Sequence, residues 1–295
     1  MNNDIQAFAK TNNCMIGICD ASPIDPTHLQ KSKHVPFVSS NLRKRTDPSA
    51  ILPGVQSIVV FGVKAEQACP PQEHSTKNLA QLSSLGTDTD YHASVKTLID
   101  KFVAEVVGYI QNFKYKTLID SPNLDERAFA YRAGLGFFGC NGLLISPGFG
   151  TRFNIGLLLT NVPLEHFGCK NDGSLGITAQ ACPPNCNLCI TACPTNALQL
   201  NAPLNTACCI SYLTQKKDLT TKEELLLSQH NQLYGCDICQ DACPFNTPYE
   251  KTYINPQQWL EADDATFAKK YNHTAMLWQG AALLRRNAEL IIRNN

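Results

Sequence analysis

Runs of apolar residues separated by short polar or Gly/Pro segments mark the elements in the first half of the chain. Residues 57–63 form a β-rich run after Pro53-Gly54 and predict a buried strand. Residues 90–113 place apolar side chains every three or four positions with charges between them, which predicts an amphipathic helix. Residues 116–119, Lys-Thr-Leu-Ile, predict a strand that ends at Asp120-Ser121-Pro122.

The pattern continues with elements that are shorter. Residues 125–135 predict a helix stopped by glycines, and residues 142–146 and 153–160 predict strands on either side of a turn. After a Gly/Asn/Asp-rich linker at 168–176 and a cysteine-rich stretch, residues 266–271 and 280–293 predict short helices. We therefore expect an α+β protein with three parts: residues 1–165, 166–250 and 251–295.

Charge and hydropathy exclude some classes of protein. The formal net charge is zero, so composition does not indicate a nucleic-acid binder, and small basic groups such as Lys216-Lys217 and Arg285-Arg286 are typical of solvated surfaces. The sequence has no apolar run near the roughly 18 residues that a membrane span requires. Since the first residues also lack the order of a secretory signal, we expect a cytoplasmic protein that does not enter membranes.

Cysteine is the unusual residue of the chain, with 14 copies in 295 residues. Cys186-x2-Cys189-x3-Cys193-Pro194 recurs as Cys236-x2-Cys239-x3-Cys243-Pro244. In two-cluster ferredoxins a tight loop supplies three thiolates, and the cysteine before proline ligates the other cluster. Eight ligands also require Cys182 and one of Cys208 or Cys209, of which we choose Cys209.

The spacing predicts two [4Fe–4S] clusters with interleaved ligands. The first set is Cys182, Cys186, Cys189 and Cys243, and the second set is Cys193, Cys209, Cys236 and Cys239. Zinc and disulfides are the alternatives, but the repeated C-x2-C-x3-C-P motif favours iron–sulfur. Cysteines without this spacing are expected to be small buried apolar residues: Cys14, Cys19, Cys69, Cys140 and Cys169.

Recognisable motifs lie around these cysteines and along essentially the whole chain. They are Arg45-Thr46-Asp47-Pro48, Leu52-Pro53-Gly54, Asp90-Tyr91-His92, Asp120-Ser121, Glu126-Arg127-Ala128, Ala133-Gly134-Leu135-Gly136, Cys209-Ile210-Ser211-Tyr212-Leu213-Thr214, Leu233-Tyr234-Gly235-Cys236-Asp237-Ile238-Cys239-Gln240 and Arg286-Asn287-Ala288. In this combination and order they resemble the epoxyqueuosine reductase family. The resemblance implies a nitroreductase-like α/β cobalamin-binding domain, followed by a two-cluster ferredoxin-like domain and a short helical segment.

The resemblance also implies a reaction and its cofactors. The family reduces epoxyqueuosine to queuosine at the wobble position of tRNA anticodons, with cobalamin and two [4Fe–4S] clusters. By position, Asp120 is similar to the family's catalytic proton donor. Residues that fall where family members contact the corrinoid are Arg45, Asp120, Leu144, Ile155, Ser211 and Asp237. We also expect an external low-potential electron donor, tRNA as partner, and a monomer.

Several alternatives remain open at this stage. The chain has three residues between Cys182 and Cys186 where the family has two, so Cys169 is a rival first ligand. On local sequence, Asp120 is also typical of a helix N-cap or an Asx-turn before Pro122. The competing functions are a related cobalamin reductase for a small molecule and a two-cluster electron-transfer protein.

Overall fold

The computed structural model describes residues 2–26, 35–65, 79–87, 90–168, 181–261, 263–272 and 274–294. Its strands are β1 (Cys14–Asp20), β2 (Ser57–Lys64), β3 (Ala80–Leu82), β4 (Tyr115–Ile119), β5 (Phe137–Phe138), β6 (Leu144–Ile145), β7 (Phe153–Thr160), β8 (Gln232–Tyr234) and β9 (Thr252–Ile254). Its α-helices are α1 (Asn2–Thr11), α2 (Leu42–Thr46), α3 (Ser84–Thr87), α4 (Tyr91–Phe102), α5 (Glu126–Arg132), α6 (Leu188–Ala192), α7 (Ile210–Leu213), α8 (Thr221–Ser228), α9 (Ile238–Asp241), α10 (Gln257–Glu261), α11 (Asp264–Tyr271) and α12 (Ala281–Asn294).

The chain divides into two compact units. The first contains residues 1–64 and 92–184, and the second contains residues 65–91 and 185–295. Residues 251–295 therefore belong to the same unit as the cysteine motifs, and residues 65–91 join that unit from the first half of the chain. The predicted functional domains (1–165, 166–250 and 251–295) begin and end at other residues, and their assignment to cofactors stays a prediction.

An antiparallel sheet forms the centre of the first unit, with strand order β1-β2-β7-β4. Apolar side chains leave β2 on both faces, because Ile58 and Val60 join a core that includes Phe129 of α5. On the other face Phe61 meets Phe102 of α4 edge to face, with ring centroids 5.1 Å apart. A sheet buried on both faces needs nearly continuous apolar strands, as β2 and β7 are.

The second unit is built around a three-stranded sheet with order β8-β3-β9. Strand β3 pairs in parallel with β8 and antiparallel with β9. The core beside it combines Tyr234 of β8, Trp259 of α10 and the buried face of α12. This arrangement ties the C-terminal helices to the strand that immediately precedes the second cysteine motif.

The mixed fold of helices and sheets is as predicted, and three strands agree closely with the sequence pattern. The strands predicted at 57–63, 116–119 and 153–160 are confirmed as β2, β4 and β7. The strand predicted at 142–146 is shorter, Leu144–Ile145, and it pairs with β5, which the pattern did not predict. The linker predicted at 168–176 falls mostly on residues 169–180, outside the described ones.

The helix predicted at 90–113 was too long. It runs as α4 to Phe102, continues as one π-helical turn over Val103–Val107, and ends at Gly108. The Gly108 amide bonds back to Val103, and Asn112 has a left-handed backbone, so the chain cannot continue as an α-helix despite its apolar spacing. Among the described residues, no helix combines the length and apolar character needed to cross a lipid bilayer.

Candidate functional site

The two cysteine motifs fold into loops with the same backbone geometry. Asn187 before α6 and Asp237 before α9 have similar dihedral angles, with φ of −131° and −108° and ψ of 15° and 6°. The cysteine that ends each motif donates its amide hydrogen to the carbonyl three residues earlier: Cys193 to Ile190 at 3.2 Å and Cys243 to Gln240 at 3.1 Å. The sequence repeat is therefore a structural repeat.

The loops also end in the same way. The amide of Asn196 bonds to the carbonyl of Cys193 at 3.3 Å, and the amide of Asn246 bonds to that of Cys243 at 3.0 Å. The proline after each cysteine has no amide hydrogen, which suits a position where the loop turns away from the helix. Helices α6 and α9 lie against each other in the second unit. The two loops are thus neighbours, as the exchange of their last cysteines requires.

Four of the predicted ligands perturb one another's ionisation. Burial, followed by the neighbouring Cys209 and Cys193 thiols and Asp237, raises the pKa of Cys236 to about 12. Burial, followed by Cys236 and Cys209, raises the pKa of Cys239. Burial also raises the pKa of Cys209, with Cys193 and Cys208 contributing. Cys193, Cys209, Cys236 and Cys239 are the set predicted for the second cluster, and Cys189, which is predicted for the first, also raises the pKa of Cys239.

Cys193 differs from the other three because hydrogen bonds overcome its burial. Burial acts to raise its pKa, but hydrogen bonds from the Leu198 backbone and from Thr195 lower the pKa overall. The Thr195 hydroxyl lies 3.7 Å from its sulfur. Hydrogen bonds to cluster sulfurs are a recognised way in which proteins tune iron–sulfur potentials.

A bound cluster would fit this group of thiols. Buried thiolates without a cation repel one another, whereas iron keeps coordinated thiolates deprotonated and reverses the local pKa preference. Soft thiolates are the usual donors for iron–sulfur clusters. Within the part of the chain that the structure describes, no group of three or more His, Cys, Asp or Glu side chains is arranged to hold a single metal ion.

The remaining cysteines fall into four groups, one of which is Cys208 alone, the alternative to Cys209, whose sulfur accepts a hydrogen bond from the Asn205 side chain at 3.3 Å. Cys186, Cys189 and Cys243 lie in the second unit, while Cys182 belongs to the end of the first unit, so its ligand role stays a prediction. Cys169 and Cys69 lie outside the described residues. Cys14 and Cys19 are buried, as expected of cysteines that act as apolar residues, whereas Cys140 is partly exposed.

Asp120 lies at the carboxyl end of β4 in the first unit, where the sequence placed it. Its side chain is exposed, and its backbone is left-handed, with φ of 47°. The N-cap of α5 is Asp125, which accepts a hydrogen bond from the Ala128 amide at 3.3 Å. The N-cap alternative for Asp120 is therefore wrong.

The turn after Asp120 is held by a residue that sequence reasoning did not single out. Both carboxylate oxygens of Glu126 accept backbone hydrogen bonds, from Asp120 at 3.1 Å and from Ser121 at 2.8 Å. Burial, with a smaller contribution from Asp120, raises the pKa of Glu126 to about 8. The only sequence signal was its position six residues after Asp120 in the family motif.

Three of the predicted corrinoid contacts lie near this turn or in the core beneath it. Arg45 in α2 accepts the Asp125 amide through its carbonyl at 3.1 Å. Ile155 in β7 is next to Gly156, which pairs with Ile119 at the end of β4. Leu144 is 3% exposed and belongs to the core, so only its backbone or its packing is available to a cofactor.

The two predicted contacts in the second unit have structural roles there. The buried Asp237 accepts hydrogen bonds from the Ser84 amide at 2.6 Å and the Gln240 side chain at 2.7 Å. Ser211 lies in α7, two residues after the predicted ligand Cys209. Its carbonyl accepts a hydrogen bond from the Thr214 hydroxyl at 3.0 Å. Gly235, with φ of 69°, lets the backbone pass closely against Ser83, because a Cβ there would overlap its hydroxyl.

Comparison with known proteins agrees with this site. The family model described as a 4Fe-4S double cluster binding domain matches residues 181–246, and the model described as epoxyqueuosine reductase QueG, DUF1730, matches residues 45–121. The fold and the paired thiol loops thus define a two-cluster iron–sulfur oxidoreductase.

Comparisons over the whole chain show to which family it belongs. The epoxyqueuosine reductase of Staphylococcus aureus is 32% identical over 87% of this chain and 68% of its own length. A crystal structure of epoxyqueuosine reductase with an epoxyqueuosine-modified tRNA stem loop superposes with a TM-score of 0.85 at 25% identity, over 99% of this chain and 80% of that one. The Bacillus subtilis enzyme, with its catalytic aspartate loop swung out of the active site, gives the same TM-score and identity over 99% and 81%. The chain belongs to the epoxyqueuosine reductase family.

Proposed function

We propose that this chain reduces epoxyqueuosine to queuosine at the wobble position of tRNA anticodons, using electrons that pass through its two iron–sulfur clusters. The observation that carries the proposal is the pair of equivalent cysteine loops in a chain of this family. Neighbouring thiols in these loops raise one another's pKa. The reaction opens an epoxide and forms an alkene, so it consumes two electrons and two protons and releases the oxygen as water.

Cobalamin is the second proposed cofactor. When bound, the clusters supply single electrons, and cobalamin supplies a reduced cobalt able to deliver two. The first unit contributes Arg45, Leu144, Ile155 and Asp120 as proposed contacts, of which Arg45 accepts the Asp125 amide through its carbonyl. Ser211 and Asp237 in the second unit stay predictions from the family resemblance.

The role that we propose for Asp120 is protonation of the leaving oxygen. A general acid must reach the atom it protonates, and an exposed carboxyl at a strand end is accessible to a substrate. The relative from Bacillus subtilis carries its catalytic aspartate on a loop that is able to leave the active site. Asp120 likewise lies on a turn, between β4 and α5, rather than inside an element.

Several basic residues of the second unit already form ion pairs or hydrogen bonds within the protein, which makes them less available to an RNA phosphate. Lys216 is paired with Glu223 at 2.7 Å, and Arg285 is paired with Asp264. Arg286 donates to the carbonyls of Lys216 and Lys217. Lys217 has an exposed side chain on a loop fixed by those bonds, and we propose it as a phosphate contact.

The test combines metal analysis with turnover. Protein purified without oxygen and with added cobalamin is expected to contain about eight irons per chain and bound cobalt. Given a chemical low-potential reductant, it is expected to convert an epoxyqueuosine-containing anticodon stem loop to the queuosine form, as followed by nucleoside mass spectrometry. Full loading of iron and cobalt without conversion would contradict the proposed substrate, and zinc in place of iron would contradict the proposed chemistry.

A further inference from the structure

The turn that carries Asp120 depends on a single side chain for two of its hydrogen bonds. The Asp120 and Ser121 amides are consecutive, and each bonds to a different oxygen of the Glu126 carboxylate, at 3.1 and 2.8 Å. When Glu126 is ionised, these consecutive amides form charge-assisted bonds to it, which are stronger than bonds between neutral groups. The backbone on either side of the Asp120 Cα is therefore fixed from outside the turn.

The backbone of Asp120 needs such a restraint. Its φ of 47° lies in the left-handed region, which disfavours a residue with a Cβ, although Asp tolerates it better than most. Left-handed residues persist where surrounding contacts over-determine them, and they cluster at active sites. Loss of the two bonds to Glu126 would favour the extended conformation that β4 has up to Ile119, and the Asp120 side chain would then point elsewhere.

Glu126 is not needed to cap its own helix. Asp125 is the N-cap of α5 and accepts the Ala128 amide, while the Glu126 side chain turns back along the chain to the preceding turn. A carboxylate that only stabilised the start of its helix would bond to amides of the first helical turn, whereas Glu126 bonds to the amide of a residue six positions earlier.

We propose that Glu126 is a positioning residue, which holds the Asp120 turn in its left-handed conformation and so presents the Asp120 carboxyl to the substrate in one orientation. The catalytic consequence rests on the proposed function, in which Asp120 is the proton donor. The restraint on the backbone does not rest on it. The two parts can therefore be tested separately.

The ionisation of Glu126 supports this role and gives it a pH signature. Burial, with smaller contributions from Asp120 and Asp125, raises its pKa to about 8, and both of these charged neighbours are acids on the same turn. The residue packed against the turn from α2, Arg45, bonds to Asp125 through its carbonyl. A charged carboxylate accepts two amides well, whereas a protonated one keeps a single strong acceptor. The restraint should therefore tighten as the pH rises through about 8.

Hydrogen exchange tests the restraint without any turnover. Glu126→Gln keeps the shape of the side chain but places an NH2 group against one amide, so at about pH 9 residues 120 and 121 should exchange about tenfold faster in the reconstituted holoprotein. Unchanged protection in β4 and β7 would show that the variant is folded. After correction for intrinsic rates, wild-type protection at these two amides should rise between about pH 7 and pH 9, and that of the variant should stay flat.

Kinetics on the stem-loop substrate tests the catalytic consequence. Glu126→Gln is expected to lower kcat about tenfold or more with little change in KM, because substrate still binds while the acid is misdirected. The matched control is Asp263→Asn, which removes the charge of a carboxylate that accepts the Thr266 amide at 2.7 Å in the second unit, and it should keep wild-type kcat.

The outcomes separate the two claims. Unchanged exchange at residues 120 and 121 would overturn the restraint, and faster exchange with wild-type kcat would overturn the positioning role. A wild-type holoprotein that fails to convert the stem loop, while Glu126→Gln still speeds exchange, would refute the proposed function and leave the restraint supported.

Discussion

At the residue scale, the candidate site combines one side chain that the sequence identified with another that only the fold identifies. Asp120 came from a family motif together with an apolar strand before it, and β4 does end there. Glu126 was part of the same motif, but its bonds to the Asp120 and Ser121 amides depend on how the turn folds back. Spacing alone predicts no such contact, because the residues between them are irregular.

Asp120→Asn tests the proposed acid directly. The amide has almost the same shape but no acidic proton, so clusters and cobalamin should bind normally while turnover falls about 100-fold or more. The measurement is conversion of the stem loop together with iron and cobalt content. Asp100→Asn, at an exposed ion pair with Lys96, is the matched control and should retain full activity. Wild-type rates in Asp120→Asn would remove Asp120 from the acid role.

Cys182→Ala tests the first ligand set. If Cys182 ligates, the variant should lose one cluster and keep the other, so iron should fall from about eight to about four per chain. Cys14→Ala changes a buried cysteine outside the motifs and should leave the iron content unchanged. An undiminished iron content in Cys182→Ala would favour Cys169, the rival that lies outside the described residues.

At the scale of elements, the sequence predicted the strands formed by long apolar runs but not the strands of three residues. Strands β2 and β7 bury most of their residues, so their apolar composition predicts them. Strands β3, β8 and β9 have three residues each, and their pairing comes from segments far apart in sequence. In such short strands tertiary packing overrides local propensity, and no periodicity is available to detect.

Helix α12 carries a buried side-chain contact that the sequence alone did not predict. The fully buried Asn287 donates one amide hydrogen to the Thr214 carbonyl at 2.8 Å and the other to the Leu233 carbonyl at 2.9 Å. Thr214 follows the helix that begins after Cys209, and Leu233 lies three residues before Cys236. One side chain therefore ties together the two segments that carry ligands predicted for the second cluster.

Asn287→Ala should consequently affect stability and cluster content together. Leaving two buried carbonyls without a donor is expected to cost about 2–4 kcal/mol, with reduced loading of the second cluster. The measurement is thermal unfolding of the reconstituted protein alongside its iron content. Asn294→Ala, at the last residue of the same helix, is the control and should change neither. A normal melting temperature in Asn287→Ala would contradict this bridging role.

At the scale of the whole molecule, the cysteine motifs predicted the iron–sulfur chemistry, whereas the sequence did not predict the division into two compact units. The equivalent loops were readable because ligand spacing follows from cluster geometry. The sequence did not predict that residues 65–91 belong to the second unit, because this depends on the pairing of β3 with β8 and β9.

Iron removal should act unevenly on the two units. The thiols that raise one another's pKa all lie in the second unit, and without iron they must either protonate or repel. Anaerobic chelation is therefore expected to increase hydrogen exchange in residues 185–250 by about tenfold or more, while β2 and β7 keep their protection. A uniform loss of protection along the chain would contradict a local effect of the clusters.

The pairing of β3 with β8 has a consequence for how the protein is made. Gln81 can pair with Gln232 only after Gln232 has been synthesised about 150 residues later, which at about 5–20 residues per second takes about 8–30 s. Throughout that interval the growing polypeptide displays a short apolar edge with no partner. Cys236 and Cys239, which are predicted to ligate the second cluster, follow Gln232 in the chain, so that cluster can be inserted only after β8 has been synthesised.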